Sequence, residues 1–187
     1  MLHRHFLLHK PHGYLSQFIY EKKRHKKLLG ALYPFPEGTM AIGRLDEDSE
    51  GLLLLTTDGM MSELMRSNTV EKEYYAQVDG MITDEAIVML ANGVEIGFKG
   101  LRYTTKPCKA QIISALPSCI GEGRRIRDAR HGPTSWIALT LTEGKFRQVR
   151  KMTAAVGFPT LRLVRVRVGN NRLRFPSGVV EEVSSFF

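Results

Sequence analysis

Residues 41–59 read Ala41-Ile42-Gly43-Arg44-Leu45-Asp46-Glu47-Asp48-Ser49-Glu50-Gly51-Leu52-Leu53-Leu54-Leu55-Thr56-Thr57-Asp58-Gly59. The four leucines, with glycine on either side of the run, predict a strand buried on both faces, because a continuous apolar stretch of this length fits a core strand better than a half-exposed one. The acidic turn before it is then held rigidly against the core, with Asp46 directly behind the Arg44-Leu45 step. A loop anchored in this way can aim a carboxylate, although an ordinary acidic turn entering a strand has the same spacing.

Working outward, residues 3 to 9 read as a first strand, ended by the turn-forming Lys10-Pro11-His12-Gly13. Residues 20 to 38 form a basic connection broken by prolines, and Thr39 to Leu45 reads as the strand that leads into Asp46. Asp58-Gly59 opens a short helix to Ser67, with Met61, Leu64 and Met65 at helical spacing. Glu71 to Val78 alternates as a strand. Thr83 caps a helix with Asp84 and Glu85 in its first turn and Gly93 beyond its end. Short strands follow at 101 to 105 and 108 to 114, then a long loop from Pro117 to Pro133, then a strand from Trp136 to Leu141. Strands outnumber helices and several links are short, so the class is α+β. There is no internal repeat, and one domain is expected. It is divisible at most into a part made of 1–40 with 140–187 and a part made of 41–139.

The helix expected from Lys145 to Val156 places Phe146, Val149, Met152, Thr153 and Val156 on one face and Arg147 and Lys151 on the opposite side. Arg150 falls at the border, where a guanidinium is packed and still able to reach a partner. In the next strand, Leu161 to Val168, the residues Val164, Val166 and Val168 share one face and Arg165 and Arg167 the other.

The formal net charge is +8 and the isoelectric point about 9.7, a balance that suits phosphate, nucleic acid or an anionic membrane as partner. From Lys145 to Arg174 there are nine Lys or Arg and no Asp or Glu. They are spread over a helix, a strand and a hairpin rather than along one amphipathic helix, which favours a folded polynucleotide over a membrane surface. Further basic blocks are Lys22, Lys23, Arg24, Lys26 and Lys27, and Arg124, Arg125, Arg127 and Arg130. No apolar run approaches the roughly 18 residues that cross a bilayer, and a cytoplasmic protein is expected. Cys108 and Cys119 have neither disulfide-framework nor zinc spacing. His3, His5, His9 and His12 lack the Cys or carboxylate neighbours of a metal site, so no metal is expected.

Four segments carry a resemblance to one family. Gly43-Arg44-Leu45-Asp46 with Ser49-Glu50-Gly51-Leu52-Leu53-Leu54-Leu55-Thr56 resembles the catalytic motif of the pseudouridine synthases of the RsuA and RluE type. Lys10-Pro11-His12-Gly13-Tyr14-Leu15-Ser16 resembles their first motif, and Glu71-Lys72-Glu73-Tyr74 the segment bearing an active-site tyrosine. Glu143-Gly144-Lys145-Phe146-Arg147-Gln148-Val149-Arg150-Lys151-Met152, with Leu161-Arg162-Leu163-Val164-Arg165, resembles the third motif. Phe146 departs from the Asn usual there. The lack of a small amino-terminal RNA-binding module before the first motif points to the RluE-like members, which act on large-subunit (23S) ribosomal RNA.

The resemblance implies a mixed, mostly antiparallel central sheet with flanking helices and a catalytic cleft. It implies isomerisation of a uridine to pseudouridine with no cofactor, by a monomer whose partner is ribosomal RNA. Asp46 would be the catalytic carboxylate, acting at C1′ as nucleophile or at C2′ as base. Arg150 would pair with it, since a nearby cation favours an ionised carboxylate. Tyr74 would stack under the uracil, where the residue pattern alone allows an ordinary packed strand tyrosine. Arg44 would assist base flipping, or else pair structurally with Glu47 or Asp48. Lys145, Arg147, Lys151, Arg165 and Arg167 would hold phosphates, with Lys10 of the first motif counted among the RNA contacts. Two other readings stay open. One is a magnesium nuclease using Asp46, Asp48 and Glu50, against which Gly51 and the turn-like composition speak; the other is an RNA-binding protein without catalysis.

Overall fold

The computed structural model describes residues 2–19, 26–67, 69–123, 126 and 129–187. Of the basic blocks, Lys22, Lys23, Arg24, Arg124, Arg125 and Arg127 lie outside these residues. In chain order the strands and helices are β1 (His5–Lys10), β2 (Met40–Ile42), β3 (Glu50–Thr56), α1 (Gly59–Arg66), β4 (Lys72–Asp79), α2 (Asp84–Asn92), β5 (Glu95–Phe98), β6 (Leu101–Thr104), β7 (Lys109–Ile113), β8 (Thr134–Leu141), α3 (Gln148–Ala155), β9 (Thr160–Val168), β10 (Asn171–Arg172) and β11 (Val180–Val183).

Among the described residues, nine strands form one sheet in the order β11-β1-β3-β9-β4-β8-β7, with β2 added beside β3 and β10 beside β9. The join of β3 to β9 is parallel and the other pairings are antiparallel. This is the mixed, mostly antiparallel sheet of the α+β expectation. β5 and β6 make a separate hairpin.

The leucine run explains the centre of the sheet. All seven residues of β3 are buried, and because side chains alternate along a strand the run feeds two cores at once. Leu52 and Leu54 pack with Leu7, Val164, Val166 and Phe186. Leu53 and Leu55 pack on the other side with Phe6, Leu8, Leu29 and Leu45. Leu45 thus belongs to the core while its neighbour Asp46 does not, which fixes the loop between β2 and β3 at its middle.

Helix starts follow the sequence signals in two of three cases. Asp58 accepts hydrogen bonds from the amides of Met60 and Met61 at the start of α1, and Thr83 accepts one from Ala86 at the start of α2. The third helix begins at Gln148 rather than Lys145, because Arg147 adopts a left-handed backbone (φ 52°) and breaks the helical run. Val149, Met152 and Thr153 are buried as expected, whereas Phe146, expected on the same face, lies before the break and is 66% exposed. The short strands β5 and β11 were not expected from the pattern, while β10 pairs back on β9 as the hairpin that was.

Candidate active site

The loop between β2 and β3 is clamped by the first motif. The Ser16 hydroxyl donates to the Leu45 carbonyl (2.7 Å) and accepts from the Leu45 amide (3.0 Å). The Gly13 amide donates to the Glu47 carbonyl (2.8 Å), and the Ser49 amide closes a turn onto the Asp46 carbonyl (3.0 Å). Backbone bonds on both sides of Asp46 therefore hold its side chain at the edge of a cleft of about 210 Å³. Tyr74 of β4 lies in the same cleft, with Leu163 of β9 and the segment Glu143 to Val149.

The guanidinium that meets Asp46 belongs to Arg147. Its Nη1 lies 3.2 Å from Asp46 Oδ2 and 3.0 Å from Asp48 Oδ1, and its Nη2 lies 3.0 Å from Asp48 Oδ2. Arg150, expected to fill that role, sits beneath the turn. Its Nη2 donates to the Asp48 carbonyl (2.9 Å) and the Ser49 hydroxyl (3.2 Å) and lies 3.4 Å from Asp48 Oδ2. The physical reason for the exchange is the left-handed turn at Arg147, which swings that side chain off the expected helical face and toward the loop. Burial pushes the Asp48 carboxyl up, but the hydrogen bond from Arg147 and the charges of Arg150 and Arg147 outweigh it and hold the group below its ordinary value. The same hydrogen bond raises Arg147 above its ordinary value.

One cleft residue of the third motif had no role expected from the sequence. Glu143 is 4% exposed and accepts from the Tyr103 hydroxyl (2.5 Å), the Lys106 amide (2.8 Å) and the Gln148 side-chain amide (2.6 Å). Burial pushes its carboxyl up, but these donors bring it below the usual carboxylate value. Gln148 also accepts from the Lys145 amide (2.9 Å). Glu143 and Gln148 together brace the floor that carries Arg147. Their position in the third motif was the available signal.

The expected RNA-contacting residues divide. Arg44 is exposed at the cleft, while Glu47, its alternative partner, pairs with Lys26 at 2.6 Å. Lys145 lines the cleft with its ammonium 4.9 Å from the Tyr103 ring centre, and Lys151 lies 5.5 Å from the ring centre of Phe146. Lys10 is a correction. Lys10 is fully buried, 0% exposed, and donates to the carbonyls of Pro11 and Tyr14. Its anchoring of the first motif leaves no surface for a phosphate. Arg165 is 4% exposed and donates through Nε to the Leu52 carbonyl (2.8 Å), because β9 is covered on both faces where it meets β3. Arg167 is neutralised by Glu71 (2.8 Å) and Glu73 (2.9 Å), which weighs against a phosphate role. Glu50, read as a turn residue, opens β3 instead and forms a buried pair with Arg162 (2.9 Å).

The trio Asp46, Asp48 and Glu50 does not converge. Glu50 faces Arg162, and Asp48 faces Arg147 and Arg150. Among the described residues no three His, Cys, Asp or Glu side chains are placed to hold a metal ion, and no helix is long and apolar enough to cross a membrane.

A nine-stranded mixed sheet with an aspartate, a tyrosine and an arginine gathered from three segments beside it defines a class. The sequence model of the RNA pseudouridylate synthase family matches residues 4–155, and the chain belongs to that family. It is 40% identical over 169 residues to a ribosomal large subunit pseudouridine synthase E of Xanthomonas axonopodis pv. citri, covering 89% of this chain and 86% of that protein. A ribosomal large subunit pseudouridine synthase B of Bacillus subtilis is 35% identical over 162 residues, covering 86% of this chain and 59% of that protein. Among solved structures, a crystal structure of a pseudouridylate synthase superposes with a TM-score of 0.76 at 25% identity, covering 97% of this chain and 70% of that one.

Proposed function

We propose that the chain isomerises a uridine of large-subunit ribosomal RNA to pseudouridine, with Asp46 as the catalytic carboxylate. The observation that carries this is the placement of Asp46 in one cleft with Tyr74, its carboxylate held by Arg147 at 3.2 Å. Residues 1–187 act as one catalytic domain, working as a monomer in the cytoplasm without a small-molecule cofactor.

The reaction balances without any imported group. The bond from C1′ of the ribose to N1 of uracil breaks, the base turns in place, and C5 bonds to C1′; the C5 proton leaves to solvent and N1 gains one. Asp46 serves as nucleophile at C1′ or as base at C2′, and both roles use its ionised form. Tyr74 supports the uracil from below. Arg44, exposed at the cleft edge, fills the stack the flipped nucleotide leaves. Flipping costs a few kcal/mol, offset by phosphate contacts at Lys145 and Lys151.

The test is tritium release from large-subunit ribosomal RNA labelled at uridine C5. Wild type releases tritium, with EDTA present or absent, and Asp46→Ala releases none. No release by wild type, or equal release by the variant, sinks the assignment. Loss of activity in EDTA favours a metal-dependent reaction instead.

A further inference from the structure

Beside the catalytic cleft lies a second hollow of about 220 Å³, and the two share Arg44, Tyr74 and Gly144. Arg66 from the last turn of α1, Lys72 from the start of β4 and Arg165 from β9 also line it, and no Asp or Glu does among the described residues. This contrasts with the cations around it. Arg147 has Asp46 and Asp48, Arg162 has Glu50, and Arg167 has Glu71 and Glu73.

Arg165 is 4% exposed, and while its Nε is taken by the Leu52 carbonyl, its buried Nη2 has no hydrogen-bond partner among the described residues. Lys72 Nζ meets the carbonyls of Ser67 and Thr142 at 3.4 Å each, the long limit of a hydrogen bond. Burial, and then the charge of Arg165, hold the Lys72 amine below its ordinary pKa. A buried guanidinium beside a half-buried ammonium is costly where no carboxylate lines the hollow, and an unmade bond on a buried charged group adds to the cost. An anion entering the hollow would offset both. A tetrahedral phosphate accepts from several donors at once and fits a set made of one ammonium and three guanidinium groups.

We propose that this hollow binds a backbone phosphodiester of the RNA strand, adjacent to the nucleotide held at Tyr74. The inference rests on the RNA reading above, and Tyr74 sets the two sites side by side, since it lines both hollows. One phosphate held here sets the register of the strand over Asp46 while carrying no sequence information.

The experiment measures binding of octauridylate from about 50 to 300 mM salt for wild type, Lys72→Gln and Arg66→Gln, together with phosphorus NMR of inorganic phosphate. Arg66 is exposed at the end of α1, so its variant tests the site even if Lys72→Gln folds poorly. Each variant should bind octauridylate roughly three- to tenfold more weakly, with the slope of log affinity on log salt reduced by about 0.7, the value for one lost contact on a single strand. An octauridylate with neutral methylphosphonate linkages should bind wild type and variants alike. Inorganic phosphate should be broadened by wild type and not by Lys72→Gln. If tritium release stands but the variants keep wild-type affinity and slope, the phosphate site is wrong and the activity assignment survives. If wild type broadens inorganic phosphate but binds no octauridylate, an RNA strand as occupant is overturned together with the RNA reading.

Discussion

Arg147 joins the two carboxylates of the catalytic loop, with Nη1 3.2 Å from Asp46 Oδ2 and Nη2 3.0 Å from Asp48 Oδ2. It does so from a left-handed backbone at φ 52°, which for a residue other than glycine costs about 1–3 kcal/mol and persists only where the surroundings fix it. A hydrogen bond to a charged group contributes about 1.5–3 kcal/mol. Arg147→Ala should therefore lower kcat for tritium release by roughly 10- to 100-fold. If KM alone rises and kcat is intact, Arg147 is a phosphate clamp and does not position Asp46.

Arg150 acts on the backbone of the same turn. Its side chain is 11% exposed, and its donation to the Asp48 carbonyl holds the loop from below. Arg150→Ala should lose about 1–3 kcal/mol of stability in urea unfolding, with activity falling as the loop loosens. Arg147, with a side chain 34% exposed, should cost much less stability when replaced. Equal stabilities for the two variants would remove this division of labour.

Gly51 of β3 packs directly against the backbone of Arg165 in β9. Its φ is +105°, and a Cβ built there would stand 2.3 Å from the Arg165 carbonyl oxygen. That oxygen is backbone, so it has no rotamer with which to retreat. The parallel pairing here consists of Glu50 with Val164 and Gly51 with Arg165. Gly51→Ala should cost more than about 3 kcal/mol, through clash and backbone strain together. Urea midpoints within error of wild type would show that the strands can separate there freely.

The centre of this fold was legible because local and global demands agree on the same residues. Leu52 to Leu55 are apolar throughout, and each face of β3 has its own core; Thr83 caps α2 as its residue type suggests. The burial of Arg165 is not legible in the sequence, because alternation along a strand says which residues share a face and nothing about whether both faces are covered. Phe146 and Arg147 depart from the expected helix for a different reason: helical spacing does not hold across a left-handed residue, and no side-chain pattern marks Arg147 as one. The gathering of Asp46, Tyr74 and the third motif came from motif order; periodicity alone does not bring residues 46, 74 and 147 together.

Phe146 offers a large exposed ring at the cleft mouth, 66% accessible, with the Lys151 ammonium 5.5 Å from its centre. Stacking of one base on such a ring contributes about 1–3 kcal/mol and carries no charge. Phe146→Ala should weaken octauridylate binding by roughly 5- to 100-fold and leave the salt slope unchanged. A reduced slope would mean that the loss came through Lys151, and unchanged affinity would leave the ring without a role in binding.

Lys10 gives the fold a pH dependence whose sign can be worked out. Burial lowers its pKa from 10.5 to about 8, and the nearby Glu50, Asp48, Asp46 and Glu47 offset only part of this. Between those two values the unfolded chain keeps the Lys10 proton and the folded chain has released it. Where the unfolded state binds more protons, stability rises with pH, so the cost of burying a charged Lys10 is fully present below about 8 and is relieved as pH climbs toward 10.5. A shift of this size corresponds to about 3 kcal/mol across the whole window. Lys10→Met keeps the length of the side chain and carries no proton to release. Urea unfolding of both proteins from pH 7 to pH 10 should show wild type gaining on the variant above about pH 8. A constant difference over that range would mean that Lys10 stays charged in the folded chain, held by the carbonyls of Pro11 and Tyr14 and the acidic turn.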